Sequence, residues 1–383
     1  MGAQDSNISQ CDEQGPPCAN CVVRGATNTC VYTTSAGKYF QGIDPSCSRD
    51  SSANPLPEIT FTVGSRQILE LELIHRWTVG TYKSFCGVAD DFHYLQTVLP
   101  QCALQYDYLL HGILAVSALD IATSEVPGDE ARSAEYVQMA MEYYDKASVS
   151  FRQQLGNITQ DNIHCIYMFS VMALCINMAM TQCKGLGFDK QQSLLDCVPV
   201  FFELGLASTS FFITYPEWML NGPYSTALNT AAILVREPSP KLDHSTNEAI
   251  SRLKTIIENG SAVLERTEEQ TYSKAVGGLY LCYVEDKKNL VKGFCIAFPS
   301  LAGKEFTVEV GNLKPIALLI LMHWAVSLHQ LGESFWWARS VGLNLAQEIS
   351  ATLLQLQPDL LMLREWRAGI QWARSGVGLP LLI

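Results

Sequence analysis

The chain has 383 residues, 48% of them hydrophobic and 17% charged, a balance that describes a globular protein with a sizeable core. A net charge of −12 argues against a general binder of nucleic acid or anionic membrane. Thirteen cysteines, an odd number, and no leader pattern after Met1 point to a reducing compartment.

In chain order, the first informative stretch is Cys11–Tyr32, with four cysteines spaced Cys11-x6-Cys18-x2-Cys21-x8-Cys30. Thiolates at this density, on a short polar run turned by Gly15, Pro16, Pro17 and Gly25, suit a tetrahedral zinc ion. Such a run cannot fold on a hydrophobic core, so metal binding would supply most of its folding energy. The alternative is four unrelated surface cysteines, which the Cys-x2-Cys pair and the polar surroundings oppose. Between Met1 and Phe40 the charged residues are Asp5, Asp12, Glu13, Arg24 and Lys38. Non-specific affinity for DNA comes mainly from Lys and Arg on phosphates, and this segment is slightly acidic. From Thr33 to about Gly64 the composition turns to Ser, Pro, Gly, Thr and Asn, which predicts a flexible linker.

From Arg66 onward the pattern is helical almost throughout, with no β alternation of any length and no fixed repeat. Leu69, Leu73, Ile74 and Trp77 share one face of a first helix. Tyr108–Ala122 is apolar nearly all round and belongs at the centre of the core. Over 134–155, Tyr136, Met139, Tyr143, Ala147, Phe151 and Leu155 recur at helical spacing, and Gly156-Asn157 ends that helix. Thr159 or Asp161 can cap the next. The runs 163–180 and 194–206 read as buried helices, the former lacking the basic flanks of a membrane span. The stretch 209–240 reads as a wrapped loop with short helices. Ile250, Leu253, Ile257, Gly260 and Leu264 mark another amphipathic helix, and 285–314 reads as a polar segment. Pro315 opens a strongly apolar helix. Ser334 caps a last long one carrying Trp337, Val341, Leu345, Ile349 and Leu353, with Pro358 beyond its end.

Few residues suggest chemistry. His111 reads as a hydrogen-bonded core residue rather than a ligand. His323 and His329 fall on different helix faces, which disfavours a metal pair. Asp90-Asp91 lacks a third carboxylate, Tyr143–Lys146 lacks a dinucleotide glycine motif, and Gly185-Leu186-Gly187 and Gly277-Gly278 read as turns. The expectation is a protein that is not an enzyme. Trp218, Trp324, Trp336, Trp337, Trp366 and Trp372 either fill a core or line a lipid-sized cavity between helices.

Cys11-Asp12, the proline before Cys18, Asn20 before Cys21, Arg24-Gly25, and Cys30 with Tyr32 two places on resemble the second half of the binuclear zinc cluster of fungal transcription factors. Three stretches are, in order, similar to the C-terminal regulatory domain of that family, in particular its sterol uptake control protein branch. They are YLLHGILAVSALDIA, YYDKASVSFRQQLGNIT and LLILMHWAVSLHQLGESFWWARSVG. The resemblance, over roughly 68–372 together with the cysteine run, implies an all-α regulatory domain, two zinc ions on six thiolates, DNA as partner and a nuclear location. It also implies a sterol or other apolar small molecule sensed by the helices, and a homodimer, although no sustained heptads follow the cysteines.

The first half of the cluster, with two more cysteines and a basic helix, has no counterpart in MGAQDSNISQ. A truncated N-terminus and a lost finger both account for this. The expected organisation is a partial zinc-cluster segment over 1–32, a disordered linker over 33–65 and an all-helical domain over 66–383. Cys11, Cys18, Cys21 and Cys30 form an incomplete zinc ligand set. As written, the chain is expected to bind DNA weakly or not at all. The rival reading is a helical sensor or decoy that makes no direct contact with DNA.

Overall fold

The structure, a computed structural model, describes residues 32–33, 39–40, 65–124, 130–183, 193–223, 240–260 and 264–382. The chain divides into two units, Met1–Thr62 and Val63–Ile383. In the first, β1 (Tyr32–Thr33) pairs antiparallel with β2 (Tyr39–Phe40), Tyr32 opposite Phe40. Cys11, Cys18, Cys21 and Cys30 lie outside the described residues, as does most of the expected linker.

The second unit is all-α, as its periodicity predicts. Its longer helices are α1 (Ser65–Val79), α2 (Asp107–Ser124), α3 (Glu130–Gln154), α4 (Ile163–Met180) and α5 (Leu194–Thr214). They continue with α6 (His244–Gly260), α7 (Arg266–Lys288), α8 (Lys304–Gly311), α9 (Pro315–Gly332), α10 (Val341–Leu356) and α11 (Arg364–Gly376). Short helical turns join them. Helices α2 and α9 lack a polar face and sit at the centre. In α2, Tyr108, Leu109 and 112–120 are buried, and α1, α3 and α4 pack around it. In α9, 317–328 are buried, and α7, α10 and α11 enclose it. Pro315 occupies the first turn of α9, where its missing N–H costs nothing.

Several boundaries differ from those expected. Leu155, expected on the α3 stripe, lies just past that helix and is exposed. Asn162, not Asp161, stands at the N-cap of α4, and Thr159 and Asn162 bond each other in the preceding turn. Helix α5 runs on to Thr214, through much of the expected loop, and its outer face leaves Val200 and Ile213 exposed. The polar segment after α7 contains Phe298, Phe306 and Val310, all in the core. Their period is broken into the short turns Phe294–Ala297 and Phe298–Ala302 and then α8, so no single face emerges in the sequence. Ser334 caps no helix: α10 begins after Ser340, behind the turn Trp336–Ala338, and α11 follows it. Gly277-Gly278 lies inside α7, where a Cβ on Gly278 would come 2.7 Å from Leu301 Cβ. The pair is helical, not a turn, and Gly278 is a close-packing contact.

Helices α4, α5 and α9 are long and apolar enough to cross a membrane by length and composition. In α4 and α9, 78% of the apolar window is buried inside the unit, against 28% in α5.

Helices α9 and α10 cross at their closest where Gly342 faces the α9 backbone: a Cβ there would lie 2.3 Å from both Ala325 O and His329 N. Gly342→Ala is expected to lower the thermal unfolding temperature, with a cost of roughly 1–3 kcal/mol or more. The exposed Gly277, which has open space around it, makes the matching control. Gly277→Ala should stabilise by roughly 0.5–1 kcal/mol through helix propensity. Equal effects of the two in a melting experiment would contradict this packing.

Candidate functional site

Among the described residues, α4 and α5 border an apolar opening, a cavity of about 490 Å³. This lies within the usual range for small-molecule sites of roughly 300–1,000 Å³. One wall is a stripe of α4, Tyr167, Val171, Leu174 and Cys175, at helical spacing. The facing wall is Gly205, Ser208, Thr209 and Phe212 of α5, continued by Pro216 and Leu220. Tyr167 and Phe212 meet edge to face at 5.1 Å. The remaining boundary comes from Ser84, Phe85 and Gly87, from 291–297, and from Phe335 and Trp337.

Each wall is anchored. Arg76 of α1 and Asp120 of α2 form an ion pair at 2.8 Å, and Thr81 Oγ1 donates to the same carboxylate. This fixes the turn Thr81–Phe85 beyond Gly80, and so the position of Ser84 and Phe85. Trp336 Nε1 donates to Ser84 Oγ at 2.9 Å and Trp337 Nε1 to Ser84 O at 2.8 Å. Gln182, just past α4, donates to Trp337 O at 2.6 Å, tying the same turn to α4. Glu348 of α10 accepts from Ser193 Oγ and from Leu194 N, the latter at 2.9 Å. A carboxylate at that helix start also favours the α5 dipole.

The lining hydroxyls are engaged within the protein. Ser208, Thr209 and Ser300 donate toward Gly205 O at 2.9–3.1 Å, and Ser84 Oγ donates to Thr81 O at 2.7 Å. The small α5 wall exists because Gly205 packs on Pro299, where an added Cβ would come within 3.1 Å. At the rim, Lys292 N donates to Gly87 O at 2.9 Å, joining the two chain segments. Gly293 there has φ +76°, and an added Cβ would meet Leu331 at 3.1 Å. Lys292 is the one charged residue lining the cavity among those described.

The residues singled out in the sequence mostly fall elsewhere. Of the six tryptophans, only Trp337 lines this cavity. Trp324 is core, donating to Cys295 O, and Trp372 stacks on His323 at 4.9 Å. Trp218 lies over a smaller polar hollow with His164 and Cys165. His111 is half-buried and stacks on Tyr143, but its Nδ1 has no hydrogen-bond partner, contrary to the expected bonded core histidine. Asp91 is buried and Asp90 exposed, so the two do not act as a pair. Tyr143 donates to Glu70 at 2.9 Å, and Lys146 pairs with Glu142, as on any helix surface. Among the described residues, no three His, Cys, Asp or Glu side chains gather as a metal site. Lys292 and the α4 and α5 stripes were not singled out. The one available signal was Gly205, Ser208 and Thr209, small residues at helical spacing in an otherwise bulky apolar run. No protein-family model matches the chain, and no curated protein gives a significant match.

His323 is fully buried; its Nδ1 bonds Leu319 O at 2.8 Å, and burial lowers its pKa to about 4, with Arg252 adding in the same direction. An unfolded histidine titrates near 6.5. Between pH 6.5 and 4 the unfolded chain therefore takes up a proton that the folded chain refuses, and stability falls as pH falls. His323→Asn keeps a donor for Leu319 O and should flatten this fall, by roughly 3 kcal/mol at most between pH 7 and 4. Parallel pH-dependent melting curves for the two proteins would contradict the assignment.

Proposed function

We propose that this chain is a regulator of the fungal zinc-cluster transcription-factor kind, nuclear and non-catalytic, whose helical unit binds an apolar small molecule. The ligand-binding half of the reading rests on one observation: a cavity of about 490 Å³ with apolar walls, whose hydroxyls are bonded inward. The regulatory half is supported by the cysteine run with Tyr32, and by three helical stretches that fall on α2, α3, and α9 with the start of α10. Cys11, Cys18, Cys21 and Cys30 would hold zinc as an incomplete set. Helices α4 and α9, with most of their apolar surface covered by neighbours, are assigned to the interior of the unit rather than to a membrane.

The cavity walls make a plain coupling device. Helix α4 packs on the central α2, and α5 packs on α8 and the turn Phe298–Ala302. A ligand between α4 and α5 favours whichever packing it fits, and shifts the population toward it. The full chain incubated with a saturating apolar ligand should melt at a higher temperature, by about 2.7 kcal/mol of stabilisation at a hundredfold excess over Kd. Ergosterol, oleic acid and oleyl alcohol are suitable first compounds. Val171→Trp, which fills the cavity from α4, should abolish the shift. No shift with any of them would remove the ligand-binding half of the proposal.

The second reading, a sensor or decoy with no DNA contact, is favoured by charge. Between Met1 and Phe40, only Arg24 and Lys38 oppose Asp5, Asp12 and Glu13. On that reading the chain retards no specific duplex at physiological salt. Low-nanomolar retardation would exclude it.

A further inference from the structure

We infer that the cavity takes a long-chain carboxylate, with the hydrocarbon between α4 and α5 and the carboxylate at Lys292 on the rim. This rests on the cavity being a ligand site, and adds the ligand's chemical class.

Three observations carry it. The serine and threonine hydroxyls of the lining are already engaged, since Ser208 and Thr209 donate back to Gly205 O and Ser84 is held between Thr81 O and Trp336 Nε1. A ligand with polar groups along its body would leave them unpaired there, at a penalty that an unbroken hydrocarbon avoids. The one charge on the lining is Lys292, which is exposed and makes no ion pair with a carboxylate among the described residues. Its backbone is held by the bond from Lys292 N to Gly87 O, so the ammonium swings from a fixed point on the rim.

The surroundings agree. The Lys292 charge reaches the buried Cys86 thiol beside Gly87, where it opposes the rise in pKa caused by burial. Lys292 thus stands where the cavity meets the adjoining polar hollow, both of which it lines. Two carboxyl groups belong to the neighbouring segments. Asp91 is buried, and Asp286, in the adjoining polar hollow, accepts from Cys295 N at 3.3 Å. Burial raises Asp286 to about 6, and Lys292, which lines the same hollow, forms no ion pair with it. With no ion pair to a described carboxylate, the lysine charge can meet an incoming anion. A rigid, uncharged fused-ring lipid uses the walls but not this charge.

The test uses the full chain and cis-parinaric acid, a fluorescent fatty acid, as the bound probe at low salt and neutral pH. Oleic acid, oleyl alcohol and ergosterol are then added as competitors. Oleic acid should displace the probe about fivefold better than oleyl alcohol, the size of a partly exposed ion pair. Lys292→Met should erase that preference while leaving the alcohol unaffected, and Lys292→Arg should keep it. Shortening the acid should weaken binding by about fourfold per methylene. Val171→Trp, or Ser208→Phe should the first not fold, should abolish probe binding. Equal displacement by acid and alcohol, a preference that survives Lys292→Met, or displacement by ergosterol alone would overturn the carboxylate assignment and leave the cavity reading standing. Probe binding unchanged in a folded Val171→Trp or Ser208→Phe would place the site elsewhere and overturn it. No binding of probe or competitors would overturn both.

Discussion

A helix without a polar face has to be enclosed on every side, and α9 imposes that condition on this protein. From Ala317 to Leu328 every residue is buried, including His323 and Ser327. Each exposed leucine or isoleucine would forfeit roughly 1.5–3 kcal/mol, so α7, α10 and α11 are obliged to wrap it. The approach is close enough that Gly342 has no room for a side chain against the α9 backbone. The turn Trp336–Ala338 between α9 and α10 is thereby fixed, and with it the indole N–H groups that hold Ser84.

The second centre, α2, makes the same demand on α1, α3 and α4. Where the two enclosures meet, α4 and α5 bring together a bulky stripe and a small one. Tyr167 and Phe212 touch across the gap, but Ser208 and Thr209 do not fill the space that Val171 and Leu174 leave. Protein interiors are ordinarily packed as tightly as organic crystals. A cleft of about 490 Å³ bounded by anchored walls departs from that packing and has the size of a small-molecule site. The polar groups that could have attracted water are turned into their own helices. What remains is apolar surface with one ammonium at its edge.

The sequence made the helices legible and the cavity almost illegible, for a physical reason. Periodicity reports which face of a helix is buried, and for α1, α3 and α6 that stripe was plain in Leu73 and Trp77, in Tyr136, Tyr143 and Ala147, and in Ile250, Leu253 and Ile257. It cannot report what a buried face meets. Val171 on the cavity and Met172 in solid core look alike in the sequence. The tryptophans drew attention through their size, yet Trp324 and Trp372 are consumed by core contacts with Cys295 and His323. Lys292 sat in a segment that read as polar, and only the bond to Gly87, far away in the chain, makes it a rim residue. Gly277-Gly278 likewise carried the signature of a turn, and the role of Gly278 became visible only with Leu301 against it.

The most direct measurement is the native mass of the full chain after incubation with an equimolar mixture of oleic acid, oleyl alcohol and ergosterol. Wild type should retain one lipid per chain, released by organic extraction, and folded Val171→Trp should retain none. A chain that retains no lipid, or a Val171→Trp variant that retains it as wild type does, would contradict the claim that the space between α4 and α5 is a ligand site.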